Sequence, residues 1–233
     1  MWWKDQHFWT PNFLIPTRGL DYSGGEVRLA RKISWKSIEP SLPPEVGMLD
    51  IRDFCSHGVL HFITHIDDTM LAMEEQTIGK TPSVMVEEGG WEELASNLIA
   101  RGLCRAVPES ALHHVGSLPL LNGLFAVDKD EVKDGITVGR LIMNLKPWNS
   151  NSRPLPGDVG TLPKITGMGA LHIHDDECLV TFSEDLRCFF YLFKVPPAWE
   201  KYMGFGRLPK SLIPTNAAED RWYLAGQVLP MGY

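Results

Sequence analysis

The sequence predicts an α+β protein, and three observations carry that expectation. One segment, residues 91–107, has apolar residues at helical spacing. Several short apolar runs rich in β-branched and aromatic residues read as strands. Seventeen prolines and 21 glycines among 233 residues speak for many turns and short elements rather than a helical bundle. Hydrophobic residues make up 44% and charged residues 22%, ordinary globular usage that excludes wholesale disorder.

Taken in order, residues 1 to about 50 are rich in Trp, Pro and Gly. Residues 24–40 have room for one strand or short helix before the prolines of 40–44 break the pattern. Residues 48–68, MLDIRDFCSHGVLHFITHIDD, suit one or two strands, because Val, Ile, Phe and Thr favour strands. Residues 80–90 end in a double-glycine turn, which makes residue 90 the expected boundary between an N-terminal extension (1–90) and a second unit (91–233). In the helix WEELASNLIARGLCRAV, Trp91, Leu94, Leu98 and Ile99 share a face and Glu92 and Glu93 favour the first turn. Arg101 and Gly102 mark the end of its first run. RLIMNL (140–145) is compact and apolar enough for a buried strand. Residues 164–171 read as a short helix or turn, and 178–186 as a further strand. There is no internal repeat.

The net charge of −7 argues against a strong nucleic-acid binder, since affinity for phosphate backbones comes largely from Lys and Arg. The distribution qualifies that. Ile51 to Phe125 hold ten acids and four bases, whereas Lys129 to Arg153 hold five bases and three acids. Cys55, Cys104, Cys178 and Cys188 form no CxxC pair and read as reduced thiols of an intracellular protein, nuclear or cytoplasmic. No apolar run approaches the roughly 20 residues of a membrane helix, and the N-terminus lacks the order of a signal peptide.

The order of features after Leu103 is distinctive. An apolar strand, a charged turn with Gly and a second strand opening with Arg140 lead into Lys146-Pro-Trp-Asn149. Leu162-Pro163, Asp185-Leu186, Lys201-Tyr202 with Phe205, and Leu229-Pro-Met-Gly232 follow. Over a little more than half the chain this order resembles the reverse transcriptases of retroelements. The resemblance implies the fingers and N-terminal palm of a right-hand polymerase, preceded by an extension of unknown structure. It implies template-directed dNTP addition on an RNA/DNA primer–template with Mg2+ in the full-length form. Asp185 would be a catalytic metal ligand and the carbonyl of Leu186 a second, because Mg2+ takes hard oxygen ligands held on rigid strands. Lys129 and Arg140 would hold the triphosphate, Arg bidentately and Lys as a point charge. Phe190 (Phe189 if the register shifts by one) would fill the space of a 2′-hydroxyl, and Met231 would lie by the nucleotide.

Each of these residues also has a plainer use. Asp185 could cap a helix, Phe190 could pack a core, and Lys129 could decorate a solvated hairpin tip. The sequence also departs from the family. Asn144 stands where Asp is usual, Lys146 where Arg is usual, and Met231 where Gln is common. The Tyr/Phe-x-Asp-Asp segment that completes the two-metal site does not occur before Tyr233, so these residues by themselves are expected to lack polymerase activity and, with unpaired strands, to be poorly soluble. A non-catalytic protein-interaction or weak nucleic-acid-binding domain is the alternative, with the acidic stretch from Ile51 to Phe125 and the Trp-rich start as its surface.

Other constellations are weaker. His57, His61 and His65 recur every four residues, but on the expected strand the outer two stand too far apart for one ion. His172-Ile-His174-Asp175-Asp176 suits an exposed turn. Phosphate-cradling glycine motifs are missing, and Ser183 has no nucleophile-elbow context.

Overall fold

The computed structural model describes residues 29–79, 83–153, 174 and 188–230. They form a mixed α+β structure with small sheets, as the sequence leads one to expect. Four helices are present among them: α1 (Trp35–Ile38), α2 (His57–Thr64), α3 (Trp91–Ala100) and α4 (Lys146–Ser150).

The first sheet joins β1 (Ala30–Arg31), β6 (Gly123–Lys133) and β7 (Ile136–Asn144) in the antiparallel order β1-β6-β7. The second joins β3 (Cys104–Pro108), β9 (Gly204–Arg207) and β10 (Trp222–Gly226) in the order β3-β10-β9, also antiparallel. Two short pairs are also present among the described residues. One is β2 (Leu49–Asp50) with β8 (Phe193–Lys194), which is parallel; the other is β4 (His114–Val115) with β5 (Leu118–Pro119).

One main hydrophobic cluster links these pieces. It takes Ile33, Ile38, Ile63 and Met70 from the first half, Leu94 and Leu98 from α3, Leu124, Leu141 and Met143 from the hairpin, and Phe205 and Leu224 from the second sheet. Residues before and after 90 therefore contribute to the same core. They also share backbone: β1 pairs with β6, and Met85 N donates to Leu124 O at 2.8 Å.

Helix α3 shows how locally the chain can be instructed. Leu94, Ala95 and Leu98 are buried, and Glu92 and Glu93 occupy the first turn, where the helix dipole favours negative charge. Its end is a Schellman motif: Gly102 takes φ +73°, Gly102 N donates to Ile99 O, and Leu103 N donates to Leu98 O, both at 3.0 Å. The helical run stops there. Residues 104–107, read as more helix from sequence, belong to β3, paired with β10.

Residues 48–68 overturn the expectation of one or two strands. Only Leu49–Asp50 is strand; Ile51–Phe54 is a 3-10 turn, and His57–Thr64 is helix α2. The β-branched residues favoured a strand, but propensity is a weak prior that tertiary packing overrides. Ile63 is buried in the core, and its carbonyl accepts from Trp199 Nε1 at 2.8 Å.

The hairpin β6–β7 is the longest regular feature of the described residues. Its tip is the two-residue turn Asp134-Gly135, with φ +52° and +76°. Positive φ at both positions is the type I′ geometry that matches strand twist, and Asp-Gly is a favoured sequence for it. The second strand opens at Ile136, earlier than the expected start at Arg140, because the turn fixes the register from Lys133↔Ile136 onward. Between Asp128↔Gly139 and Val132↔Thr137 the register shifts, leaving Lys129, Asp130 and Glu131 in a bulge of β6.

Among the described residues, the other edge of β7 meets side chains. Tyr191 OH donates to Leu141 O at 2.6 Å, Ser41 Oγ to Gly139 O at 2.6 Å, and Arg31 Nη2 to Thr137 O at 3.1 Å. Gly139 makes room for this: a Cβ there would lie 2.7 Å from Arg31 Nη2.

Candidate functional site

The hairpin presents two unlike faces. On one face Leu124, Ala126, Leu141 and Met143 are buried. On the opposite face Phe125 stands across from Ile142 and Val127 across from Arg140, all except Arg140 partly buried. Arg140 itself is exposed. The result is a half-apolar strip ending in a guanidinium. Such a surface can carry a ring or sugar on its apolar part and an anion at its charged end.

Lys129 occupies the bulge beside this strip, and its ammonium pairs with Glu131 Oε2 at 2.7 Å. A phosphate would have to compete with that carboxylate, which makes Lys129 a weaker anchor than Arg140.

Phe190 lies in the 3-10 turn Phe189–Leu192 and is 42% exposed, with Phe189 at 38%. The core-packing use open to CFFYLF is taken up by Tyr191 and Phe193 instead, both buried. The same Tyr191 hydroxyl that reaches Leu141 fastens this turn to the strand of Arg140 across 50 positions of sequence. Phe189 packs edge-on against Phe193 at 4.8 Å and lies 6.1 Å from Phe190, while Phe54 meets Phe193 at 5.3 Å. Phe54, Phe189 and Phe190 thus form an exposed aromatic shelf over Phe193.

Asp185, Leu186 and Met231 lie outside the described residues, as do Leu162-Pro163, Gly232 and the segments 164–171 and 178–186. Among the described residues no group of three or more His, Cys, Asp or Glu side chains could hold a metal ion. Two of the three histidines come nearer to each other than a strand would allow. His61 and His65 stack at 4.6 Å, and His61 Nε2 lies 3.1 Å from Asp68 Oδ2. No helix of the described residues is long and apolar enough to cross a membrane.

Asn144 has a local task. Its Oδ1 accepts from Lys146 N at 3.1 Å, an Asx turn that leads into α4, whose N-cap is Leu145. The Asp usual in the resembled family could accept the same bond, so the substitution leaves the turn intact.

One polar junction escaped the sequence reading. Asp67 accepts from Lys201 Nζ at 2.7 Å and from Tyr202 OH at 2.8 Å. Burial alone would raise the Asp67 carboxyl, but the Lys201 ammonium and the Tyr202 hydroxyl outweigh it and hold it below its ordinary value. Burial first, then the Asp67 bond, push the Tyr202 phenol up. Beside them His113 packs on Tyr202 at 4.8 Å, and its Nε2 meets Gln76 Oε1 at 2.7 Å. Gln76 Nε2 donates to Leu71 O, which fixes the amide and makes His113 Nε2 the donor. Burial, then the Lys201 charge, hold His113 below its ordinary value and therefore neutral. Trp148 stacks on Tyr202 at 5.5 Å and meets Trp199 edge-on at 5.3 Å. The sequence signal was Lys201-Tyr202 itself, and its partner 134 positions away carried no local mark.

No protein-family model and no curated protein matches the chain.

Proposed function

We propose that this chain is the fingers and first palm segment of a retroelement-derived reverse transcriptase, an intracellular RNA-directed DNA polymerase. In the full-length form it would add dNTPs to a primer on an RNA template. The reading rests on the order of sequence motifs, and one geometric observation supports it most. Tyr191 fastens the exposed phenylalanine turn to the strand of Arg140, so two segments that the resemblance assigns to one nucleotide site are neighbours in the fold.

Under this reading Arg140 holds a phosphate of the incoming nucleotide bidentately, and Lys129 adds charge once released from Glu131. Phe190 excludes the 2′-hydroxyl by its bulk, and Met231 lies beside the nucleotide. Bound magnesium would neutralise the triphosphate and align the attacking oxygen, with Asp185 and the Leu186 carbonyl as the ligands this chain offers. Two-metal catalysis also needs the Tyr/Phe-x-Asp-Asp carboxylates that the family carries further on.

The test is binding of a labelled RNA/DNA primer–template to the chain at several salt concentrations. Binding should weaken as salt rises, and Arg140→Ala should weaken binding of labelled dNTP to the complex with primer–template by about 5- to 10-fold, as expected for one charge-assisted phosphate contact. Absence of primer–template binding at low salt, or dNTP binding indifferent to both Arg140→Ala and Lys129→Ala, would overturn the reading.

A second reading, a non-catalytic protein-interaction domain, is favoured by the aromatic shelf. Phe54 at 62% exposure is an uncommon surface residue, and aromatic anchors are enriched in protein interfaces.

A further inference from the structure

We infer that a groove on the far side of the hairpin tip is a contact for the phosphate backbone of single-stranded nucleic acid. This rests on the polymerase reading and names a partner surface that the motif order does not assign. The groove has a volume of about 630 Å³, within the range of ligand-sized sites. Three cations from separate parts of the chain converge on it: Lys36 of α1, Arg101 after α3, and Lys133 at the end of β6. Leu42, Pro44 and Ile136 supply apolar lining.

The charges are arranged unequally. Arg101 is held in place, its Nη2 donating to Pro43 O at 2.7 Å and its Nη1 lying 3.6 Å from Glu39 Oε1. Glu39 is thereby engaged. Lys36 and Lys133 are exposed and form no ion pair among the described residues. Asp134 is the remaining acid of the lining. In a chain of net charge −7, three cations against the two acids Glu39 and Asp134 still leave this lining with a positive excess over an apolar floor. An alternating chain of anionic phosphates and flat, weakly polar bases matches both parts, since stacking and apolar contact tolerate any base and the cations follow the backbone.

The experiment is fluorescence anisotropy of labelled oligouridylate against the full chain and the variants Lys36→Glu and Lys133→Glu. Lys210→Glu, an exposed charge reversal outside the groove, is the control. Each groove variant should bind about 5- to 10-fold more weakly than the control at low salt. Each should also lower the slope of log K against log salt by ~0.7, the value for one lost phosphate contact on a single strand. Unchanged circular dichroism and Tm keep the comparison among folded proteins.

Groove variants that behave like Lys210→Glu would overturn the inference while leaving the polymerase reading standing, provided Arg140→Ala still weakens dNTP binding. Loss of all binding by the unaltered chain would remove both. Competition by polyglutamate or by free dNTP as effective as by unlabelled oligouridylate would also overturn it, replacing the nucleic-acid strand with an acidic peptide or a lone phosphate.

Discussion

The hairpin tip and the junction at Asp67 are both polar features near the surface, yet they are specified in opposite ways. The tip is written in two adjacent residues, Asp134-Gly135, whose positive φ values set the register of both strands. The junction is written in residues 67, 76, 113, 148, 199 and 202, brought together only by the finished fold. The tip is therefore a local structure that can fray by itself, and the junction is a tertiary structure whose loss takes the surrounding packing with it.

The largest expected effect lies at the junction. Trp148→Ala removes a buried ring sandwiched by Tyr202 and Trp199 and should cost about 3–5 kcal/mol, read as a lower urea midpoint with cooperative loss of both sheets. A small change confined to local signals would dissolve the contrast. At the tip, Gly135→Ala forces a Cβ into φ +76° and should cost roughly 1 kcal/mol. Hydrogen exchange should quicken near residues 132–137 and stay slow in β3 and β10.

Acidification separates the regions without mutation. His113 sits below its ordinary 6.5 when folded, so its contribution is complete above pH 6.5 and is lost as pH falls through the folded value. Asp67, held below 3.8, contributes fully above that pH and loses its contribution as pH falls further. Stability should fall in two successive windows, His113→Gln abolishing the upper and Asp67→Asn the lower, as followed by Tm against pH. The smallest effect on stability belongs to Arg140→Ala. Its exposed side chain should cost no more than about 0.5 kcal/mol in denaturation even where ligand binding is lost.

What the sequence disclosed follows the same division. Helix α3, its Gly102 end, the hairpin and the α+β class were legible because their signals sit within a few residues of one another. Helix α2 was misread because Val59, Phe62, Ile63 and Thr64 favour strands, and only the packing of Ile63 and the Trp199 bond reverse that. The strand β3 was hidden behind α3 because its pairing with β10 spans more than a hundred positions. Arg140 was singled out by its place in the motif order, while its exposure and the Glu131 partner of Lys129 show only in three dimensions. The use of Asp67 was not legible, because Lys201 and Tyr202 lie so far along the chain.

The row of carbonyls on β7 has a consequence for how copies of this protein treat one another. A nine-residue strand with a bare edge is a template on which a second molecule can lay its own strand, then a third, until a fibril forms. Here three alternate rungs of that template are already occupied by Arg31, Ser41 and Tyr191. Among the described residues, stacking along this side is opposed from within the molecule, and with no proline in the strand.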